Sequence, residues 1–175
     1  MSITTRRGDE GETELMFGRR VPKSHPRIIA GGAVDELNAV LGLVRAADSG
    51  DFLRGLIAAV QEDLVVLMGD VATLPEDIAR YQAAGFDLFC SDRVNKLDSR
   101  VELIEGQGVT FKGWVFPGAS SDMLAAHLDH ARTVCRRAER ELVMLGDDVN
   151  EAILVYLNRL SDVLWLSARD REQGV

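Results

Sequence analysis

Apolar residues recur at three- and four-residue intervals over most of the chain, and the recurrence falls into five helical runs. The first begins near Gly31, with Val34, Leu37, Val40, Leu41 and Val44 on one face. Asp35 and Glu36 then fall in its first turn, where carboxylates favour the helix dipole. Asp48-Ser49-Gly50 ends this run, and Asp51 is placed to cap the next. The second run repeats Phe52, Leu53, Leu56, Val60, Leu64 and Leu67, and Gly69 and Pro75 mark its end. Pro75-Glu76-Asp77 starts a short helical piece that Gly85 breaks. A third helix is predicted from Ser91 to Ile104, with Ser91 or Asp92 as its cap and Val94, Leu97, Val101 and Ile104 inside. A fourth runs from a Ser120 or Ser121 cap to about Leu145, and a fifth from about Asn150 to Arg169.

Two stretches lack a helical period. Residues 1–30 carry Gly8, Gly11, Gly18, Pro22 and Pro26, and Gly8-Asp9-Glu10-Gly11-Glu12-Thr13 is a tight polar loop. Such a loop is either an ordinary flexible terminus or a cradle of backbone N–H groups for an anion. Leu15, Met16 and Phe17 follow it and predict that part of the segment docks. Val109 to Gly118 is extended and aromatic, either a staple over the bundle end or a wall for a flat ligand. The pattern is all-α: a bundle of four or five helices with an irregular N-terminal loop, read as one domain over residues 1–175, with 1–30 as the N-terminal segment and 31–170 as the bundle.

The polar positions add chemistry. On the fourth helix Arg132, Arg136, Glu139 and Arg140 stand at i, i+4, i+7 and i+8, opposite Ala131, Val134, Cys135, Ala138 and Leu142. This cationic stripe is either a solvated face laced through Glu139 or a site for phosphate oxygens, which arginine forks suit. The fifth helix is apolar almost all round and therefore reads as buried. Its Asn158, Asp162 and Trp165 then need partners, from the fourth helix or from a ligand.

Composition narrows the classes. Hydrophobic residues make up 46% and charged residues 27%, as in a soluble globular protein. The net charge of −8 argues against general nucleic-acid binding, and no run is apolar enough to span a bilayer. No signal-peptide pattern opens the sequence, so a cytoplasmic location is expected. Cys90 and Cys135 read as free thiols in a reducing compartment. His127 and His130 stand at i, i+3, without a second set of metal ligands.

Five polar groups together resemble a family. Thr5-Arg6-Arg7-Gly8-Asp9-Glu10-Gly11-Glu12-Thr13-Glu14-Leu15 is similar to the T-R-T-G-D-x-G-x-T-x-L opening of the PduO-type ATP:cob(I)alamin adenosyltransferases. Arg20-Val21-Pro22-Lys23 with Pro26-Arg27 resembles the R-V-x-K-x-x-P-R that follows there, and Val34-Asp35-Glu36-Leu37-Asn38 its V-D-E-L-N. Ala131 to Arg140 resembles A-R-T-V-C-R-R-A-E-R, and Tyr156 to Asp162 resembles Y-L-N-R-L-S-D.

The resemblance implies a homotrimer of five-helix bundles with an active site at each subunit interface. A Co(I) corrinoid would attack the 5′ carbon of ATP, and triphosphate would leave. It implies that Thr5, Arg6, Gly8, Asp9, Gly11, Thr13 and Lys23 wrap ATP from the N-terminal loop, and that Arg136, Glu139 and Arg140 hold it from the helix. Asn158 would support the phosphates and Mg²⁺, and Arg132 would pair with Asp35 beside the corrinoid. Trp114 and Trp165 would form the hydrophobic corrinoid wall that excludes water from the lower face of cobalt. A reductase and an adenosylcobalamin-dependent acceptor enzyme are the implied partners. Arg7 stands where the family usually has Thr, Gly31 where Tyr is common, and Trp114 where Phe is typical. These departures motivate the alternative, a non-catalytic ATP- or corrinoid-binding protein of the same fold acting in delivery or sensing.

Overall fold

The structure is a computed structural model that describes residues 4, 6–50, 53–110 and 113–174. Thr5, Asp51 and Phe52 lie outside the described residues. The described chain holds six α-helices: α1 Pro26–Ala47, α2 Arg54–Val71, α3 Ile78–Ala83, α4 Asp92–Gly106, α5 Met123–Val143 and α6 Glu151–Gln173. The sixth element relative to expectation is α3, the short piece after Pro75. Residues 12–22, expected as irregular loop, instead form a small antiparallel hairpin of β1 Glu12–Glu14 and β2 Arg20–Pro22, with Thr13 opposite Val21.

Local chemistry sets the ends. Pro26 occupies the first turn of α1, where its missing N–H and fixed φ do no harm. The Arg27 N–H donates to His25 Nδ1 at 3.2 Å, so α1 starts well before Gly31. Asp35 therefore sits in the third turn, and the dipole role expected for it does not apply. Asp122, not a serine, caps α5 by accepting the Ala125 N–H at 2.9 Å. Asn150 caps α6 through Oδ1, while its Nδ2 donates to Asp70 and to the Phe89 carbonyl at 3.0 and 2.8 Å.

The packing order is α2, α1, α5, α6, α4, with α5 central. Leu37, Leu41, Leu64, Leu67, Leu128 and Leu142 are fully enclosed, each contributing about 2 kcal/mol. Buried Asp63 joins the outer helices: it pairs with Arg93 at the start of α4 and accepts from Tyr156 Oη of α6 at 3.0 Å. The hairpin docks through buried Leu15, the Met16 N–H on the Ala72 carbonyl at 2.9 Å, and a two-point Arg19–Asp77 pair at 2.7 and 2.9 Å. Arg80 lies over the Phe17 ring, 4.2 Å from its centre. The expected docking of Leu15, Met16 and Phe17 is thus present.

Helix α6 differs from the all-buried reading. Val155, Asn158 and Asp162 are exposed and Trp165 is half-buried, so one stripe of the helix faces outward. Among the described residues, no helix is long and apolar enough to cross a membrane.

Candidate active site

Helix α5 turns Arg136, Glu139 and Arg140 to one side because Val134, Cys135, Ala138 and Leu142 occupy the core side. Asn158 of α6 meets them, and with Val143 and Met144 they line a cleft of about 400 Å³. Asn158 Nδ2 donates to Glu139 Oε1 at 3.3 Å, and Arg140 Nη1 donates to the Arg136 carbonyl at 3.0 Å. Among the described residues, no ion pair closes Arg136 or Arg140 onto Glu139. A face laced through Glu139 is therefore not what forms. The cleft brings two guanidinium forks together with the apolar side chains of Val143 and Met144, which suits an anion carrying a flat or apolar group. Behind it, Cys135 is fully buried and donates to the Leu157 carbonyl at 3.3 Å; burial pushes its thiol pKa well up.

The N-terminal loop lines a second, separate cavity. Gly11 has φ +82°, a left-handed conformation that favours glycine. The Lys23 N–H donates to the Gly11 carbonyl at 2.9 Å, and the Lys23 side chain lies across Gly8. A Cβ at Gly8 would sit 3.2 Å from Lys23 Nζ, close enough that the lysine side chain would have to shift slightly. Arg7, Gly8, Thr13, Glu14 and Arg20 line a cavity of about 280 Å³. Arg20 is held by Glu12 at 2.7 and 2.9 Å, and Arg7 faces Glu14 at 3.8 Å. Arg6 adopts φ 58° at the entry to this turn, and Asp9 closes it by donating its N–H to the Arg6 carbonyl at 3.3 Å.

Asp35 opens onto a third space of about 360 Å³ with Gly31, Gly32, Ile28, Met68 and Val71. A side chain at Gly31 would meet nothing within 4 Å, so the shelf beside Asp35 is open. Trp165 lines a fourth cleft, of about 310 Å³, with Val101, Glu105, Arg159, Asp162 and Leu166. Trp114 stands in the 107–122 connection at 83% exposure, so it is not a staple over the bundle end.

The expected Arg132–Asp35 pair is absent within the chain. Arg132 Nε faces Asp129 of its own helix at 3.9 Å. The reason is register. Helices α1 and α5 run antiparallel, with Glu36 paired to Arg137 and Arg27 to Asp148. Arg132 is thereby displaced from Asp35 by about 9 Å along the bundle at 1.5 Å per residue. Arg137, on the outer side of α5, ties α5 to α1 through Glu36. Sequence reasoning also missed two buried arginines. Arg27 donates to the Val71, Thr73 and Asp148 carbonyls at 2.9–3.2 Å, closing the end of α2. Arg169 pairs with Asp129, and an aspartate on the apolar side of α5 was the available signal for it.

Residues 3–170 match the model of the cobalamin adenosyltransferase family. The chain belongs to that family. It is 36% identical over 171 residues to the corrinoid adenosyltransferase PduO of Salmonella typhimurium, covering 97% of this chain and 49% of that one. It is 39% identical over 170 residues to the cobalamin adenosyltransferase of Cupriavidus metallidurans, covering 95% and 86%. The chain spans about half the length of the PduO relatives from Salmonella typhimurium and Citrobacter freundii. A variant PduO-type ATP:corrinoid adenosyltransferase from Lactobacillus reuteri, solved with cobalamin and ATP, superposes with a TM-score of 0.87 at 31% identity, covering 98% of this chain and 91% of that one. The cobalamin adenosyltransferase fold thus extends over the hairpin, the α5–α6 cleft and both tryptophan-bearing segments of this chain.

Proposed function

We propose that this chain transfers the 5′-deoxyadenosyl group of ATP to cob(I)alamin. The Co(I) electron pair forms the Co–C5′ bond, the C5′–O bond breaks, and triphosphate departs with that bond's electrons. Cobalt ends as Co(III) in adenosylcobalamin, and no further oxidant is required. The observation that carries the reading is the α5–α6 cleft, where Arg136, Glu139, Arg140 and Asn158 converge. Negative charge builds on the leaving triphosphate, and fixed guanidinium groups stabilise it without reorganising. Arg136 and Arg140 supply those groups. Gly8, Asp9, Gly11, Thr13 and Lys23, with Arg6 and Thr5, wrap the nucleotide from the loop.

Mg²⁺ fits as an ion carried in on the phosphates. No group of three or more His, Cys, Asp or Glu among the described residues makes a cage of its own. Magnesium commonly keeps its waters and takes few protein oxygens beside substrate phosphates. Asn158 Oδ1, in the same cleft as Arg136 and Arg140, would supply one protein oxygen to it.

The working unit is a homotrimer. The loop residues and the arginine residues line separate cavities in one chain, which supports a cleft completed by a neighbour's loop. Asp35 and Arg132, too far apart within a chain, pair across that same boundary. Exposed Val143, Met144 and Val155 beside the cleft support a covered surface. On the corrinoid side Trp165 and Trp114 exclude water from the lower face of cobalt. The protein works in the cytoplasm beside a corrinoid reductase and passes its product to an adenosylcobalamin-dependent enzyme. Calorimetric titration with MgATP tests the cleft: saturable binding, one nucleotide per site, is expected. No binding at millimolar MgATP would overturn the assignment.

A further inference from the structure

Arg169 is the largest fully enclosed side chain of the described chain, at 2% exposure near the end of α6. Its Nη2 donates to Asp129 Oδ2 at 2.7 Å, and Asp129 is itself buried. Its Nε faces Glu172 Oε2 at 2.8 Å, and its guanidinium carbon lies 5.5 Å from the centre of the Trp165 ring. Two links lead outward from these contacts. The other Asp129 oxygen faces Arg132 Nε at 3.9 Å. The other Glu172 oxygen accepts from Ser120 Oγ at 3.1 Å, and Ser120 belongs to the 107–122 connection that carries Trp114.

A buried ion network of this kind is weak evidence for stability, because packed apolar side chains often do as well. What it supplies is orientation, since a planar fork fixes the groups bound to its edges. We propose that Arg169 is the positioning residue of the corrinoid side of the site. It sets the Trp165 ring by direct contact and the Trp114-bearing connection through Glu172 and Ser120. The inference rests on the adenosyltransferase reading. Arg169 lines neither the α5–α6 cleft nor the loop cavity; on that reading it holds in one register two segments that border the corrinoid.

The neighbouring contacts provide a control. Arg171 holds the same connection at Asp122 (2.9 Å), and Gln173 holds it at Thr110 (3.1 Å), each without an ion pair to Arg169. Glu172→Ala and Ser120→Ala cut the tether while leaving the Arg169–Asp129 pair in place, so the core is not asked to bury a lone charge. Each is expected to weaken cobalamin binding, measured with ATP present, by about 3- to 30-fold. KM for ATP should move by less than about twofold, since the nucleotide half-sites are elsewhere. The double variant should be no weaker than either single one, because both cut one link. Arg169→Lys keeps the charge but cannot span both carboxylates, and should lose cobalamin affinity in the same range.

Unchanged cobalamin affinity in Glu172→Ala would overturn the proposal and leave the adenosyltransferase reading standing. So would additive losses in the double variant, or an equal loss in Arg171→Ala, which would reduce Glu172 to an ordinary loop anchor. A wild-type protein that takes up no cobalamin would overturn both readings.

Discussion

In the α5–α6 cleft the two guanidinium groups have different surroundings, and Arg136 is the one whose loss is most telling. Arg140 already donates to the Arg136 carbonyl, so part of its fork is occupied. Arg136→Ala removes charge-assisted contacts worth about 1.5–3 kcal/mol each, so ATP affinity should fall about 10- to 100-fold. Turnover should fall further, by about 10²- to 10³-fold, because the leaving-group charge is then unmatched. Calorimetry and steady-state rates check both, with sedimentation to confirm an unchanged assembly. The two thiols make a second contrast. Cys90 is exposed, whereas Cys135 is enclosed, hydrogen-bonded and pushed up by burial. Native protein at neutral pH should show one reactive thiol to an aromatic disulfide reagent, and two after denaturation. The stripe on α5 was legible in the sequence because four polar residues share one helical face. The partner of Arg132 was not, because it depends on how α1 and α5 slide past each other. Asp129 and Arg169 lie 40 residues apart, and only packing brings them into contact.

At the scale of elements, the hairpin is held at its turn by Arg19 and Asp77. The hydrogen bond from Arg19 holds the Asp77 carboxyl below its ordinary value of 3.8. A depressed folded-state pKa means the pair stabilises the fold above the unfolded value. That contribution is lost as the pH falls through the lower folded value. Carbon-detected NMR of the Asp77 carboxyl should therefore give a midpoint below 3.8, with the hairpin amides shifting in step. A midpoint at or above that value would contradict the clamp. Helix positions were readable from apolar spacing, while helix ends were not always. α1 begins at Pro26 because a proline in the first turn is tolerated and His25 accepts a backbone N–H. The hairpin strands span three residues each, too short for an alternation to register. α6 looked fully buried because its exposed stripe is itself partly apolar, at Val155 and Trp165.

For the whole molecule, the all-α bundle was legible from the number, length and spacing of the apolar runs. The helix order across the bundle was not, because buried links such as Asp63 with Arg93 and Tyr156 are long-range. The loop and arginine residues line separate cavities in one chain, and the proposed composite site therefore depends on assembly. Sedimentation should give a species of three 19.2 kDa chains. A monomer that retains full activity would contradict the composite site. The most direct test of the proposed function is anaerobic. Protein, MgATP and chemically reduced cob(I)alamin are mixed, and the Co(I) absorbance is followed while products are separated. The expected result is loss of the Co(I) spectrum, with adenosylcobalamin and inorganic triphosphate appearing in equal amounts. A Co(I) spectrum that persists with protein in excess over corrinoid, with no adenosylated product, would contradict it and leave a binding protein of the same fold.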